Sequence, residues 1–90
     1  MHKKSFSPFN FKLESHNNKV RIVILKDDLE IACRTEQKRI VSNFLNSSGE
    51  RIFKGRLQLL SNQNEILVFV KNELVYEISK EAFAKMLANS

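Results

Sequence analysis

Lys54 and Arg56 stand two residues apart in a stretch of alternating character, the spacing that projects two cations from one side of an extended strand. Gln58 is next in line and Arg51 lies at the start of the same run. Lys38 and Arg39 sit together further back, and Lys12 and Arg21 come from an earlier pair of alternating segments. Seven cations arranged this way suit phosphate oxygens: each neutralised phosphate releases counterions, and specificity is left to neighbouring polar or aromatic groups. Tyr76 and Phe6 are the aromatic candidates for base stacking.

Catalytic chemistry has less to work with. Acid–base or nucleophilic catalysis needs side chains of matched pKa converging on one point. The two histidines, His2 and His16, fall in a polar N-terminal stretch and in a turn, without an evident carboxylate partner. Asp27, Asp28 and Glu30 resemble a metal-binding cluster by type, but at a helix start they serve as caps and as partners of the helix dipole. Zinc-type Cys/His spacing, a phosphate loop and a dinucleotide fingerprint are all missing from the sequence. A non-enzymatic protein without metal or cofactor is expected.

The charge is unevenly placed. Residues 1–56 hold 12 of the 15 Lys and Arg and 6 of the 10 acids, a net of +6, whereas residues 57–90 are at −1. Such asymmetry fits a side that faces a polyanion, and, the excess being modest, it equally fits an ordinary solvated surface. Cys33 is the single cysteine, so no intramolecular disulfide can form; on the apolar face of a helix it acts as a small buried hydrophobe. A disulfide-free chain without a signal-peptide pattern fits a cytoplasmic protein. Apolar runs are too short for a membrane span.

The elements that position these groups follow from periodicity. Residues 1–8, MHKKSFSP, form an expected flexible basic tail ahead of a single domain, 9–90. Phe9, Phe11 and Leu13 alternate with polar residues, and Lys19–Leu25 is apolar on both faces, with Ser15-His16-Asn17-Asn18 as the turn between them. From Asp27 to Asn46, Leu29, Ala32, Cys33, Ile40, Val41, Phe44 and Leu45 make a helical stripe. Asp27 and Glu30 have capping-box spacing, and Gly49 suits a left-handed C-cap.

Three strands follow: Arg51–Leu60, Ile66–Lys71 and Leu74–Ile78, the last two joined by a turn at Asn72-Glu73, with Leu74, Tyr76 and Ile78 facing inward. Ser79 caps a short helix carrying Phe83, Met86 and Leu87. The expected fold is α+β, a mainly antiparallel sheet in the order β-β-α-β-β-β-α with one long helix packed on a face, and without internal repeats. An open sheet edge in so small a chain favours a homodimer.

Two short stretches resemble known families. Gln37-Lys38-Arg39-Ile40-Val41 followed by Phe44-Leu45 resembles the helix of the bacterial cell-division scaffold SepF. Asp28-Leu29-Glu30-Ile31-Ala32-Cys33 is similar to the helix that opens the Sm-like Rho inhibitor Rof, which would imply a small five-stranded barrel over residues 38–79. The reading drawn from the residues is a small regulatory or accessory protein that binds nucleic acid through a basic surface. Its alternative is a homodimeric protein–protein adaptor or inhibitor that acts by docking.

Overall fold

The computed structural model describes residues 8–89, so the expected basic tail, with His2 and Phe6, lies outside the described residues apart from Pro8. The chain is α+β with antiparallel sheets and two helices. Strands β1 (Phe9–His16), β2 (Lys19–Lys26) and β3 (Leu29–Gln37) form a meander that ends in helix α1 (Lys38–Leu45). Strands β4 (Arg51–Ile52), β5 (Leu57–Ser61), β6 (Glu65–Val70) and β7 (Glu73–Ser79) form a second meander, which ends in helix α2 (Lys80–Asn89).

The long helix expected from Asp27 to Asn46 is therefore half strand. Asp27 and Asp28 hold φ of 52° and 66°. Consecutive left-handed residues make the tight reversal whose twist matches a hairpin, and Asp tolerates that region because its short side chain bonds locally. Instead of capping a helix, the pair turns the chain back so that β3 hydrogen-bonds along β2, from Lys26↔Leu29 to Lys19↔Gln37. Pairing of a whole strand outweighs the weak helix preference of its residues. Cys33, expected to be buried, is exposed on the outward side of β3. The helix over residues 28–33 implied by the likeness to Rof is likewise replaced by turn and strand. The stripe survives only in α1, where Val41 and Phe44 are buried and Leu45 is half-buried, while Ile40 is exposed.

Residues 51–60 are not one strand either. Phe53 at φ 71° and Gly55 at φ 106° break the run into β4, a loop and β5. The β6–β7 turn falls one residue earlier than expected, at Lys71 (φ 54°) and Asn72 (φ 66°). Gly49, at φ 79°, lies beyond the helix end at Asn46, and its N–H donates to the Ser61 carbonyl at 2.7 Å. It thus starts the second sheet instead of capping α1. Ser79 does cap α2, its Oγ accepting from the Ala82 N–H at 3.0 Å.

Although the sequence shows no repeat, the architecture is built twice. In β2–β3 the register shifts so that Leu25 pairs with Glu30 but Ile24 with Ala32, leaving Ile31 as a bulge. In β6–β7 Phe69 pairs with Leu74 but Val68 with Tyr76, leaving Val75 as a bulge. Each bulge lies four residues after the first turn residue, and each strand that carries one leads directly into a helix. Bulges sharpen twist and re-aim side chains. Val75 is buried in the core, and Leu74, expected inward, points outward and is 40% exposed. β3 lies beside β5 and β1 beside β7, so the two units meet reciprocally.

The inner faces share one core. Phe11, Val20, Ile22 and Ile24 come from the first sheet, Leu57, Leu59, Ile66 and Val68 from the second, with Val41, Phe44, Phe83 and Leu87 from the helices. The Phe11 ring stacks on Tyr76 (5.8 Å between centroids) and tilts against Phe83 at 5.6 Å. Buried Ser61 donates through Oγ to the Ser47 carbonyl at 2.7 Å, which also accepts from Lys80 Nζ at 2.6 Å; the connection out of α1 is thereby tied to both β5 and α2.

Two stability outcomes follow. Phe44→Ala removes a ring 2% exposed and should cost about 3–5 kcal/mol in denaturant titration. Asp28→Gly relieves a positive-φ position at a hairpin turn and should stabilise by about 0.5–1 kcal/mol, whereas a capping role for Asp28 predicts destabilisation.

Candidate nucleic-acid interface

The seven cations singled out by sequence divide among four places. Lys12 and Arg21 lie on the outer face of the first sheet, opposite the core. Arg21 is held there by two carboxylates: Nη1 donates to Glu14 Oε1 at 2.9 Å and Nη2 to Glu30 Oε1 at 2.8 Å. Lys12 Nζ is 3.9 Å from Glu14. Hydrogen bonding to Glu14 first, and then to Glu30, raises the Arg21 pKa further above its ordinary value. The Arg21 guanidinium holds the Glu30 carboxyl below its usual range, helped by a bond to Cys33. This face is locally balanced, so Lys12 and Arg21 offer little net positive field.

Lys38 and Arg39 open α1 and lie with Asn18, Lys19 and Gln37 around a shallow depression at the β1–β2 turn. The α1 N-terminus has no acidic residue in its first turn and no side-chain cap. Arg51 stands on the outer face of the second sheet, its guanidinium 5.2 Å from the Phe69 ring centroid and bonded to Gln58.

Lys54 and Arg56 are brought together, but by a loop and not by a strand. They line a cleft of about 340 Å³ with Ala32, Cys33, Arg34 and Leu57, at the place where β3 meets β5. Across the cleft the Arg34 guanidinium lies 5.0 Å from the Phe53 ring centroid. That ring packs on the core, and a bulky residue at positive φ costs about 1–3 kcal/mol, which the packing and the cation contact help to offset. Arg56 also belongs to an adjoining cleft of about 380 Å³ with Lys26, Lys71, Phe9, Ile31 and Glu73. Its carbonyl accepts from the Lys71 N–H at 2.8 Å, which fixes the loop against the β6–β7 turn.

Lys26, Arg34, Lys54, Arg56 and Lys71 therefore border two continuous clefts that share Arg56, with Glu73 the single carboxylate lining them. Among the described residues none of the five takes part in an ion pair. Sequence reasoning missed Arg34, Lys26 and Lys71. Arg34 was hidden by the helical assignment of its strand; Lys26 and Lys71 each precede or open a left-handed turn, and that position is the signal that could have found them. Tyr76, a stacking candidate, is instead half-buried against Phe11.

A concavity of about 700 Å³ runs between α1 and α2 and is lined by Ser42, Leu45, Ala84 and Ala88 together with Lys38, Lys80 and Glu81. Asp27 and Asp28 occupy the β2–β3 turn, and among the described residues no three His, Cys, Asp or Glu side chains gather as a metal site would require. No described helix is long and apolar enough to cross a membrane. Comparison with protein-family models, with curated proteins and with solved structures finds no match.

The Glu14–Arg21–Glu30 arrangement has a defined pH signature. Because the folded-state pKa of Glu30 is depressed, its contribution to stability is present above the unfolded carboxylate value, near 4.5, and is lost as pH falls through the lower folded value. Arg21→Ala should return the Glu30 titration toward 4.5 when followed by NMR. An unchanged Glu30 titration would contradict the assigned cause.

Proposed function

We propose that this is a small non-enzymatic regulatory or accessory protein that binds the phosphate backbone of nucleic acid along the paired clefts at the β3–β5 junction. The observation that carries the reading is the contrast between its cations. Lys12 and Arg21 are matched by Glu14 and Glu30, whereas Arg34, Lys54 and Arg56 converge on one cleft without an ion-pair partner among the described residues. Side chains held unpaired around a concave strip cost less to bring onto phosphates than side chains that must first leave a carboxylate. Lys26 and Lys71 extend the strip beside Arg56, so phosphate contacts succeed one another along a path instead of meeting at a point.

Lys38 and Arg39 belong to a different depression and are not part of this strip. Arg51 is engaged with Phe69 and Gln58 on a sheet face. The working site is accordingly Arg34, Lys54 and Arg56, with Lys26 and Lys71 flanking. A cytoplasmic location is part of the proposal and is supported by the exposed free thiol of Cys33, which persists in a reducing compartment.

The second reading, a homodimeric adaptor or inhibitor, is favoured by a separate observation. Leu60, Leu67 and Phe69 are half-buried yet lie outside the core and its packed neighbours, and Leu74 beside them is exposed. That apolar face is distinct from the basic clefts, and the two properties are compatible in one protein.

Binding to a labelled oligonucleotide should weaken linearly on a log–log plot against salt, with a slope of about −2 to −4 for three to five phosphate contacts. Lys54→Ala with Arg56→Ala should reduce that slope by about two. Lys12→Ala with Lys38→Ala should leave it nearly unchanged. Wild-type affinity and slope in the Lys54/Arg56 double variant would place the binding elsewhere. An absence of binding at about 50 mM salt would favour the adaptor reading.

A further inference from the structure

The cleft that Arg56 shares with Lys26, Lys71 and Glu73 has a lining that phosphate binding does not use. Its floor is apolar: the two bulge residues, Ile31 and Val75, both line it, with Phe9 and Val70. Val70 and Val75 are buried, and Phe9 and Ile31 are half-buried. The cleft thus opens where the two meanders join, and each contributes its bulge. Its volume, about 380 Å³, falls within the roughly 300–1,000 Å³ of small-ligand sites, which are likewise mostly apolar with a few placed polar groups.

Two opposite charges stand on its rim, one from each meander. Lys26 pairs with Phe9 at the end of β1–β2, and Glu73 pairs with Val70 at the end of β6–β7. Cross-strand partners share a face, so both charged side chains lie on the core side of their sheets, at the open end. Both residues are exposed, and among the described residues neither takes part in an ion pair, although they line the same cleft. The Lys26 ammonium lies 5.7 Å from the Phe9 ring centroid, so that ring is a wall of the cleft and not a stacking platform. A carboxylate in a strip of cations repels a phosphate chain, and only a ligand that brings donors to it recovers that cost.

From this lining we infer that the cleft takes an unpaired guanine of a single-stranded nucleic acid whose phosphates lie on Arg34, Lys54 and Arg56; the inference rests on the nucleic-acid reading above. An ionised carboxylate only accepts hydrogen bonds and an ammonium only donates them. Guanine alone among the bases sets two adjacent donors, N1–H and the N2 amino group, beside two acceptors, O6 and N7. Glu73 accepts from the donor edge, and Lys26 donates to O6 and N7. Adenine and cytosine place an accepting ring nitrogen next to their amino group, and thymine or uracil flanks its one N–H with carbonyls, so each turns an acceptor toward Glu73. In a duplex N1–H and N2–H are already committed to the base pair, which is why the guanine must be unpaired.

Fluorescence anisotropy of the full chain with short labelled oligo(dT) strands that differ only in one central base, G, A, C or T, tests this directly. At about 50 mM salt the guanine strand should bind about tenfold more tightly than the other three. Hypoxanthine in place of guanine, which lacks the N2 amino group, should lose part of that advantage, and annealing the complementary strand should abolish it. Glu73→Gln should weaken the guanine strand about tenfold while leaving the other strands unchanged or tighter, with thermal unfolding preserved because the side chain is exposed. The opposite signs separate recognition from charge: if Glu73→Gln tightens all four strands alike, Glu73 acts by repulsion only and the guanine pocket is overturned. Equal affinity for the four strands, with the Lys54 and Arg56 dependence intact, also overturns the pocket but leaves backbone binding standing. Failure of every strand to bind at that salt overturns both.

Discussion

Asp27 and Asp28 hold left-handed torsions that lay β3 back along β2, and the placement of the candidate site depends on that reversal. Were residues 29–37 helical, no strand would carry Arg34 to the side of β5. As a strand, β3 carries Arg34 to the β3–β5 junction, where the loop from Phe53 to Arg56 arrives from the other sheet. The loop is shaped by its own left-handed residues, Phe53 and Gly55, and anchored through the Arg56 carbonyl to Lys71. The concentration of unpaired cations is a product of topology, since its members come from four separate segments of the chain.

The duplicated architecture explains why so small a chain builds a closed core. Each unit supplies a meander, a bulge that turns Ile31 or Val75 against the interior, and a helix that follows without a loop. Neither meander could bury its inner face alone; the pair buries Ile22 and Ile24 against the same core as Leu59 and Ile66. The outer faces then differ. The first carries Glu14, Arg21 and Glu30 in a compensated cluster, whereas the second carries Leu60, Leu67, Phe69 and Leu74, with the Arg51 guanidinium laid over the Phe69 ring.

Much of the fold was legible in the sequence. Strict alternation gave β1, the two-sided apolar run gave β2, and the Ser79 cap with the Phe83 and Leu87 stripe gave α2. The central error came from residues that satisfy two rules at once. Asp27 and Asp28 are good helix caps and also good hairpin-turn residues, and Leu29, Ala32 and Cys33 fall at helical spacing even though only Ala32 is buried. Local pattern cannot choose between those states when the deciding term is hydrogen bonding to a strand elsewhere in the chain. The bulges were equally invisible, so Leu74 was assigned to the wrong face. For the site, the Lys54–Arg56 pair was legible from spacing, although the backbone that presents it is a loop. Arg34 was not, because its contribution arises from contact between distant segments.

The measurement that bears most directly on the proposed interface is an amide chemical-shift map of the protein titrated with a short single-stranded oligonucleotide at low salt. The account predicts that the largest changes fall on Ala32–Thr35, Phe53–Leu57 and Lys71, with the Lys12–Glu14 and Lys38–Ile40 segments little affected. Changes centred on the Glu14–Arg21–Glu30 face or on the start of α1, with the β3–β5 junction silent, would contradict it.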